Sequence, residues 1–301
     1  MHRQDPKVTN MEQKNRVIRE IIHPQTVMEG AGVKLKRSFP TYALDFPDPF
    51  LLFDHFGSDN PEDYLAGFPM HPHRGIETVT YMLAGKVSHR DSLGNAGTIG
   101  AGDVQWMTAG RGILHEEMPQ PLQGQMEGFQ LWVNLPSQLK MTHPRYQEIA
   151  STSIPEVILP EGATIRVIAG SLDGVSGPVT DIAAEPAYLD IQLQPHSSFT
   201  RQVENDHTVL AYMYRGQAAW QTASGKYDEQ SHTMISAPAL LVLDEGNQVA
   251  VQSEGEAASF LLISGKPMHE PIVRYGPFVM NTQAEIEQTL KDLRDGTFVV
   301  T

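Results

Sequence analysis

The sequence predicts an all-β protein with two similar barrel or sandwich domains in one chain and a short helix near the C-terminal end. Three observations lead to this prediction. The 301 residues suit about two domains of ~150 residues each. The 25 glycines and 21 prolines are spread along the chain, which is typical of many short strands separated by turns. In addition, two stretches in different halves of the chain resemble each other.

Strands are indicated by apolar and polar side chains that alternate with a period of two. In residues 77–83 the odd-numbered side chains fall on one face of the predicted strand and the even-numbered ones on the other. Residues 188–194 alternate in the same way. This period indicates sheets that bury one of their two faces.

A helix is indicated clearly only near the C-terminal end. Thr282 and Glu285 form a capping-box pattern, in which each side chain binds a free backbone amide of the first turn. Apolar residues follow at helical spacing, and Gly296 is a suitable stop. We expect this helix to dock on a sheet.

The internal repeat suggests where the domains lie. Residues 101–110 align without gaps with residues 237–246, and the segment ending at Gly85 resembles the one ending at Gly216. The boundary is placed in the proline-rich stretch 136–155. We therefore expect the following parts: a polar, mobile leader (1–16), a first domain (17–145), a second domain (146–280), and the helix with its tail (281–301).

Composition excludes several classes of function. The 22 basic and 36 acidic residues give a net charge of −14, which repels phosphate backbones, so nucleic acid is not expected as a partner. The chain has no cysteine, which excludes disulfides, thiolate metal sites and cysteine nucleophiles. No stretch approaches the ~20 apolar residues of a membrane span, so we expect a cytoplasmic protein without a membrane partner.

Two short motifs could hold a metal ion. His71 and His73 are two residues apart, so in a strand both imidazoles project from one face. By the same parity, His115 and Glu117 face together on another predicted strand. Three imidazoles and one carboxylate suit Fe, Mn, Ni, Cu or Zn rather than Ca or Mg. The alternative is core histidines bonded to backbone carbonyls, with Glu117 on the surface.

Two further residues compete for a place at this site. If the strand that carries His73 continues through residues 77–83, Glu77 shares the inward face and could replace Glu117 as the carboxylate ligand. His89 follows the turn at Gly85, and we expect it in a solvated hairpin. Whether either residue assists the site is left open by the sequence.

Long segments around these motifs resemble the pirin family. The resemblance is carried by residues 71–81 (HPHRGIETVTY), 102–119 (GDVQWMTAGRGILHEEMP) and 276–282 (GPFVMNT), and it covers most of the chain. Pirins belong to the cupin superfamily. The resemblance therefore implies two cupin domains, each a double-stranded β-helix barrel, with a short C-terminal helix.

The resemblance also implies one metal site, in the first domain. The ligands carried over by motif position are His71, His73, His115 and Glu117. Fe(II) is the expected cofactor, with Mn, Ni, Cu, Co and Zn as alternatives, and Glu77 then has a structural or outer role.

The second domain is expected to bind no metal. Extending the repeat places Val251 and Ser253 at the positions of His115 and Glu117. Counting from the turn glycines places two more replacements, Gln202 and Glu204, at the positions of the other two ligands.

Quercetin 2,3-dioxygenases occur in this family, so the resemblance implies that a flavonol-like substrate reacts with O2 and loses carbon monoxide, with Glu117 as ligand or base. An aromatic-accepting pocket is expected from Phe53, Phe56, Phe68, Met107, Phe129 and Trp132. Two other functions remain open: a metal- and redox-responsive regulator that binds a protein partner, and a cupin isomerase or sugar-binding protein. We expect a monomer.

Overall fold

The computed structural model describes residues 13–42, 44, 46–120, 125–222 and 231–300, and strands dominate it. In the first half the strands are β1 (Ile18–Ile22), β2 (Gln25–Glu29), β3 (Val33–Phe39), β4 (Phe50–Ser58), β5 (Phe68–His73), β6 (Ile76–Ala84), β7 (Val87–Asp91), β8 (Ala96–Ile99), β9 (Val104–Thr108), β10 (Ile113–Pro119), β11 (Met126–Asn134) and β12 (Arg145–Ile149).

The second half repeats this arrangement and ends in the helix. Its elements are β13 (Glu156–Ile158), β14 (Ala163–Ala169), β15 (Ser171–Leu172), β16 (Val175–Ser176), β17 (Ala187–Leu193), β18 (Ser198–Gln202), β19 (Thr208–Arg215), β20 (Gln217–Gln221), β21 (His232–Ser236), β22 (Ala239–Leu243), β23 (Gln248–Gln252), β24 (Ala258–Gly265), β25 (Val273–Tyr275), β26 (Phe278–Met280) and α1 (Gln283–Asp295). Short 3₁₀ turns lie at Pro61–Asp63, Ser137–Leu139 and Ser151–Ser153.

The strands form two barrels, each made of one seven-stranded and one four-stranded sheet. In the first barrel the strand orders are β2-β3-β4-β11-β6-β9-β12 and β5-β10-β7-β8. In the second barrel they are β13-β14-β17-β24-β19-β22-β1 and β18-β23-β20-β21. The strand orders of the two barrels correspond strand for strand. The repeated stretches 101–110 and 237–246 contain the equivalent strands β9 and β22. The predicted all-β fold with two similar barrels is confirmed.

The N-terminal strand joins the second barrel. β1 pairs with β22, although it precedes the first barrel in sequence, while β12 occupies the equivalent edge position beside β9. Arg16 anchors the start of β1, because its buried guanidinium donates to the carbonyl oxygens of Gly246 and Asp244 at 2.8 and 3.1 Å. Of the expected mobile leader, residues 1–12 lie outside the described part of the chain, and Arg16 makes these contacts with the second barrel.

The two large sheets pack face to face, and this corrects the predicted orientation of β6. Val79 and Tyr81 lie in a buried cluster shared with residues of the second barrel, and Tyr81 Oη donates to Asp190 Oδ2 at 2.6 Å. Thr80, on the opposite side of the strand, faces the interior of the first barrel. The parity of β5 does not continue into β6, because the chain turns at Gly75 with a φ of 78° and the two strands belong to different sheets.

The C-terminal segment returns to the first barrel. Its helix is confirmed: Thr282 and Glu285 form the capping box, and Gly296 ends α1 with a φ of 73°. β25 and β26 pair as a hairpin beneath the helix. Arg74 of the first barrel stacks over the Phe298 ring at 4.5 Å, so the tail is held against the turn between β5 and β6.

Among the described residues, no helix has both the length and the apolar character needed to cross a membrane.

Candidate metal centre

Two adjacent antiparallel strands bring three histidines together. His115 on β10 lies opposite His71 on β5, and His73 projects from the same face of β5 two residues further on. The Nε2 atoms of His71 and His73 are 3.0 Å apart, and the His71 and His115 ring centroids are 4.4 Å apart. One nitrogen from each ring lies within 4.8 Å of the other two, so the triad could hold one metal ion.

Several ring nitrogens of the triad have no hydrogen-bond partner among the described residues. This fits a metal site better than a set of ordinary core histidines. His71 Nδ1 lies 2.9 Å from the Pro69 carbonyl oxygen, which leaves Nε2 directed at the other two rings. Both ring nitrogens of His115 are buried without a hydrogen-bond partner in the described part of the chain. A buried polar atom without a partner costs about 1–3 kcal/mol. A nitrogen separation of 3.0 Å also matches two neighbouring ligands of one ion at about 2.1 Å.

Burial keeps the inner histidines neutral. Burial, reinforced by the neighbouring rings of His115 and His71, lowers the pKa of His73 well below its usual value, although contact with the Pro277 backbone acts in the opposite direction. Burial and the nearby His71 and His89 likewise lower the pKa of His115. A neutral imidazole keeps the lone pair that a metal needs. The two inner rings are therefore in their ligand form at neutral pH.

Glu117 lies on β10, two residues beyond His115, and is buried. The pairing of β10 with β5 shifts between these residues, so that Glu117 lies opposite Phe68. Thr80 Oγ1 on β6 donates to Glu117 Oε1 at 3.0 Å and also lies 2.8 Å from Gln130 Oε1. The hydroxyl has one proton, for which the two acceptors compete. Glu117 thus borders the same cavity as His71 and His73 while Thr80 holds its carboxylate.

Glu77 does not reach the triad, so it does not replace Glu117 as a candidate ligand, and its contacts fit the structural or outer role that the resemblance implies. Its carboxylate accepts hydrogen bonds from Trp106 Nε1 at 3.1 Å and from Thr108 Oγ1 at 2.7 Å. Burial raises the pKa of Glu77, and the two donors oppose that shift. Because β6 turns its odd-numbered face toward the second barrel, this carboxylate lies in the contact between the sheets.

His89 lies in a hairpin, as predicted, formed by β7 and β8, but it is buried in the first barrel and not solvated. β7 lies between β10 and β8, and His89 is directly opposite Glu117. Its Nε2 lies 2.9 Å from Glu148 Oε1, and its ring stacks on Tyr146 with 5.9 Å between centroids. The sequence interpretation missed the burial of His89, which shares the inward face of β7 with Val87.

A cavity of about 560 Å³ lies beside the triad, within the ~300–1,000 Å³ typical of small-molecule sites. Of the predicted aromatic pocket, Phe56, Phe68 and Trp132 line it. Phe53 and Phe129 lie instead in the core between the barrels, and Met107 lies in a separate buried cluster.

Charged residues that the sequence interpretation missed also line the cavity. Arg37 binds Asp54 through two hydrogen bonds, of 2.9 and 2.7 Å, and Glu29 through one of 2.6 Å. Burial raises the pKa of Asp54 to about 6, although the Arg37 guanidinium favours its ionised form. Arg274, from β25, stacks over the Trp132 ring at 5.0 Å. No local motif marks these residues, because they meet only after distant strands pair.

The second barrel has an apolar interior at the equivalent place. Val251 is buried among Phe199 and Trp220, while Gln202 and Glu204 are exposed at the end of β18. Within the described ranges, His71, His73 and His115 are the one group of three or more histidines or carboxylates close enough to share a metal ion.

Comparisons with known proteins cover both barrels. The model of the pirin family matches residues 32–133, and that of the pirin C-terminal cupin domain matches residues 188–299. A Pseudomonas aeruginosa protein named "putative quercetin 2,3-dioxygenase" is 44% identical over 284 residues, which cover 92% of this chain and 95% of that protein. Human pirin is 41% identical over 269 residues, covering 89% and 88% of the two chains.

Similarity to solved structures extends over the same range. The crystal structure of a quercetin 2,3-dioxygenase from Acinetobacter baumannii has a TM-score of 0.84 to this chain at 35% identity. The match covers 95% of this chain and 99% of that one. The likeness therefore includes both barrels and is not limited to the metal-binding motifs.

Proposed function

Because this chain belongs to the pirin family, we propose that it is a metal-dependent dioxygenase that opens the central ring of a flavonol such as quercetin with O2 and releases carbon monoxide. The observation that carries the proposal is the histidine triad at the wall of a cavity of about 560 Å³. The names of the similar proteins from Pseudomonas aeruginosa and Acinetobacter baumannii support the choice of reaction.

The proposed ligands are His71, His73, His115 and Glu117, and the proposed metal is iron. One carboxylate reduces the net charge of a divalent ion from +2 to +1, and three neutral imidazoles leave that charge unchanged. A remaining positive charge favours a ligand with an ionised oxygen, such as a deprotonated flavonol. Ferrous iron at this site supplies the redox chemistry with O2, and the protein supplies binding and orientation.

The side chains around the triad have separate roles in the proposed reaction. Glu117 is the base that takes the proton of the flavonol 3-hydroxyl, and Thr80 positions the carboxylate for that transfer through the 3.0 Å hydrogen bond. Phe56, Phe68 and Trp132 contact the planar rings and exclude water from the reacting end of the cavity. Pro69 fixes the orientation of the His71 ring.

The decisive experiment combines metal analysis with turnover on the same sample. Protein reconstituted with Fe(II) is mixed anaerobically with quercetin, and the flavonol absorption band is expected to shift as the substrate binds the metal. Admission of O2 is then expected to bleach the band and release carbon monoxide into the headspace. Without shift or bleaching after reconstitution with Fe, Mn, Ni, Cu or Co, the dioxygenase proposal fails and the protein-binding role becomes the better explanation.

Histidine variants test the ligand set itself. His73→Ala and His115→Ala are expected to lose most of the bound iron in elemental analysis. His143→Ala removes an exposed histidine of the first barrel and serves as the matched control, expected to retain the metal. A full equivalent of metal in both triad variants would contradict the ligand assignment.

A further inference from the structure

Arg274 reaches the cavity of the first barrel from the C-terminal hairpin. Its guanidinium carbon lies 5.0 Å from the centroid of the Trp132 ring, and the same indole meets the His73 ring edge-on at 5.1 Å. One aromatic ring therefore separates this cation from a proposed metal ligand. A ligand that extends from the triad along Trp132 would meet the guanidinium.

The donors of Arg274 are mostly unused. Its Nε donates to the Gly276 carbonyl oxygen at 3.0 Å, and no group in the described part of the chain accepts a hydrogen bond from its two terminal nitrogens. The other guanidinium of the cavity, that of Arg37, is bound to two carboxylates. No described carboxylate lies within ion-pair distance of Arg274.

This arrangement leaves a charge that a ligand could compensate. Burial and the positive charge of Arg37 lower the pKa of Arg274, and the more distant carboxylates of Glu29 and Asp54 oppose that shift. A guanidinium nevertheless stays protonated at physiological pH, so the partly buried Arg274 keeps its positive charge. Both carboxylates are already bound to Arg37, and half-exposed Glu29 is also screened by solvent.

We propose that Arg274 is a specificity-determining residue that binds an anionic oxygen group, such as a carboxylate, sulfonate or ionised catechol, at the end of an aromatic substrate remote from the histidine triad. A guanidinium can bind two oxygens of one group through its terminal N–H groups, and no described residue accepts a hydrogen bond from those of Arg274. The inference rests on the proposed function, because it takes the triad as the place where the reacting end of the substrate binds.

The test compares two ligands that differ in one remote anionic group, quercetin and quercetin 5′-sulfonate. Calorimetric titrations use metal-free and Zn(II)-loaded protein under nitrogen, so that no turnover occurs. We expect the wild type to bind the sulfonate about tenfold more tightly than quercetin. Arg274→Gln is expected to bind both ligands equally. Arg294→Gln makes the same charge change on the exposed side of α1 and is expected to keep the preference.

The proposal is overturned if the wild type shows no preference, if Arg274→Gln keeps it, or if neither ligand binds. Its failure is distinguishable from failure of the dioxygenase assignment, which is read from O2-dependent bleaching of Fe(II)-loaded protein. A sulfonate preference that depends on Arg274, without any bleaching, supports the binding role of Arg274 while rejecting the reaction.

Discussion

Arg74 Nη1 lies 2.7 Å from Asp292 Oδ2, so the residue that follows His73 is bound directly to the C-terminal helix. The same guanidinium donates to Thr289 Oγ1 at 3.1 Å and to the Arg111 carbonyl oxygen at 2.6 Å. Arg74 is buried, so these acceptors replace the water that its charge has lost. The tail of the chain therefore helps to fix the turn on which two of the three triad histidines depend.

Replacing Gly75 by alanine is expected to unfold or severely destabilise this turn. Gly75 has a φ of 78°, and an added Cβ would lie 2.0 Å from the Val279 carbonyl oxygen. The clash is with backbone that Lys140 also holds, through 2.9 Å hydrogen bonds to the carbonyl oxygens of Gly75 and Val279. We expect a loss of about 3 kcal/mol or more in the free energy of unfolding, measured by urea denaturation.

Gly94→Ala is the matched control for this change. Gly94 also has a positive φ, of 91°, but no atom lies within 4 Å of an added Cβ. The remaining cost is that of an alanine at a positive φ, so we expect a loss of about 1 kcal/mol in the free energy of unfolding. Equal losses in the two variants would show that the contact with Val279 does not constrain the turn.

Thr80→Val is expected to weaken metal binding without disturbing the barrel. The substitution preserves the shape of a buried side chain and removes the hydroxyl that donates to Glu117 at 3.0 Å. Loss of a group that orients a metal ligand typically weakens affinity about 10–100-fold. Competition with a fluorescent chelator measures this change. Thr78→Val, on the same face of β6, is the control, and equal affinities in both variants would argue against Glu117 as a ligand.

Acidification is expected to destabilise the metal-free protein through the triad. The pKa values of His73 and His115 are lowered in the folded state, mainly by burial. As the pH falls below the ordinary histidine value of about 6.5, the unfolded chain therefore binds protons that the folded chain does not. The free energy of unfolding should fall by up to ~1.4 kcal/mol per pH unit for each such histidine.

Urea denaturation between pH 7.5 and 5 measures this dependence in metal-free protein. His115→Gln should reduce the slope of stability against pH, because it removes one of the groups that must remain neutral in the folded state. His143→Gln alters an exposed histidine and should leave the slope as in the wild type. Equal slopes in all three proteins would refute this account of acid sensitivity.

The triad was predictable from sequence because each histidine lies in a short motif and the motifs occupy adjacent strands. The alternation of side chains within one strand correctly placed His71 and His73 on the same face. The same alternation did not predict the position of Glu77, because a glycine turn separates β5 from β6. Arg274 was not predictable in the same way. It comes from a hairpin about 200 residues beyond β5 in the chain, and no local pattern shows that this hairpin returns to the first barrel.

Tyr81→Phe is expected to weaken the contact between the barrels. Tyr81 Oη donates to the buried Asp190 carboxyl group at 2.6 Å, and a buried acceptor that loses its donor costs about 1–3 kcal/mol. Tyr188→Phe is the matched control, because the Tyr188 hydroxyl is also buried but has no hydrogen-bond partner among the described residues. Removing that hydroxyl should leave the thermal midpoint unchanged or raise it, whereas Tyr81→Phe should lower it. A midpoint for Tyr81→Phe that equals or exceeds that of Tyr188→Phe would mean that the bond from Tyr81 to Asp190 does not stabilise the contact.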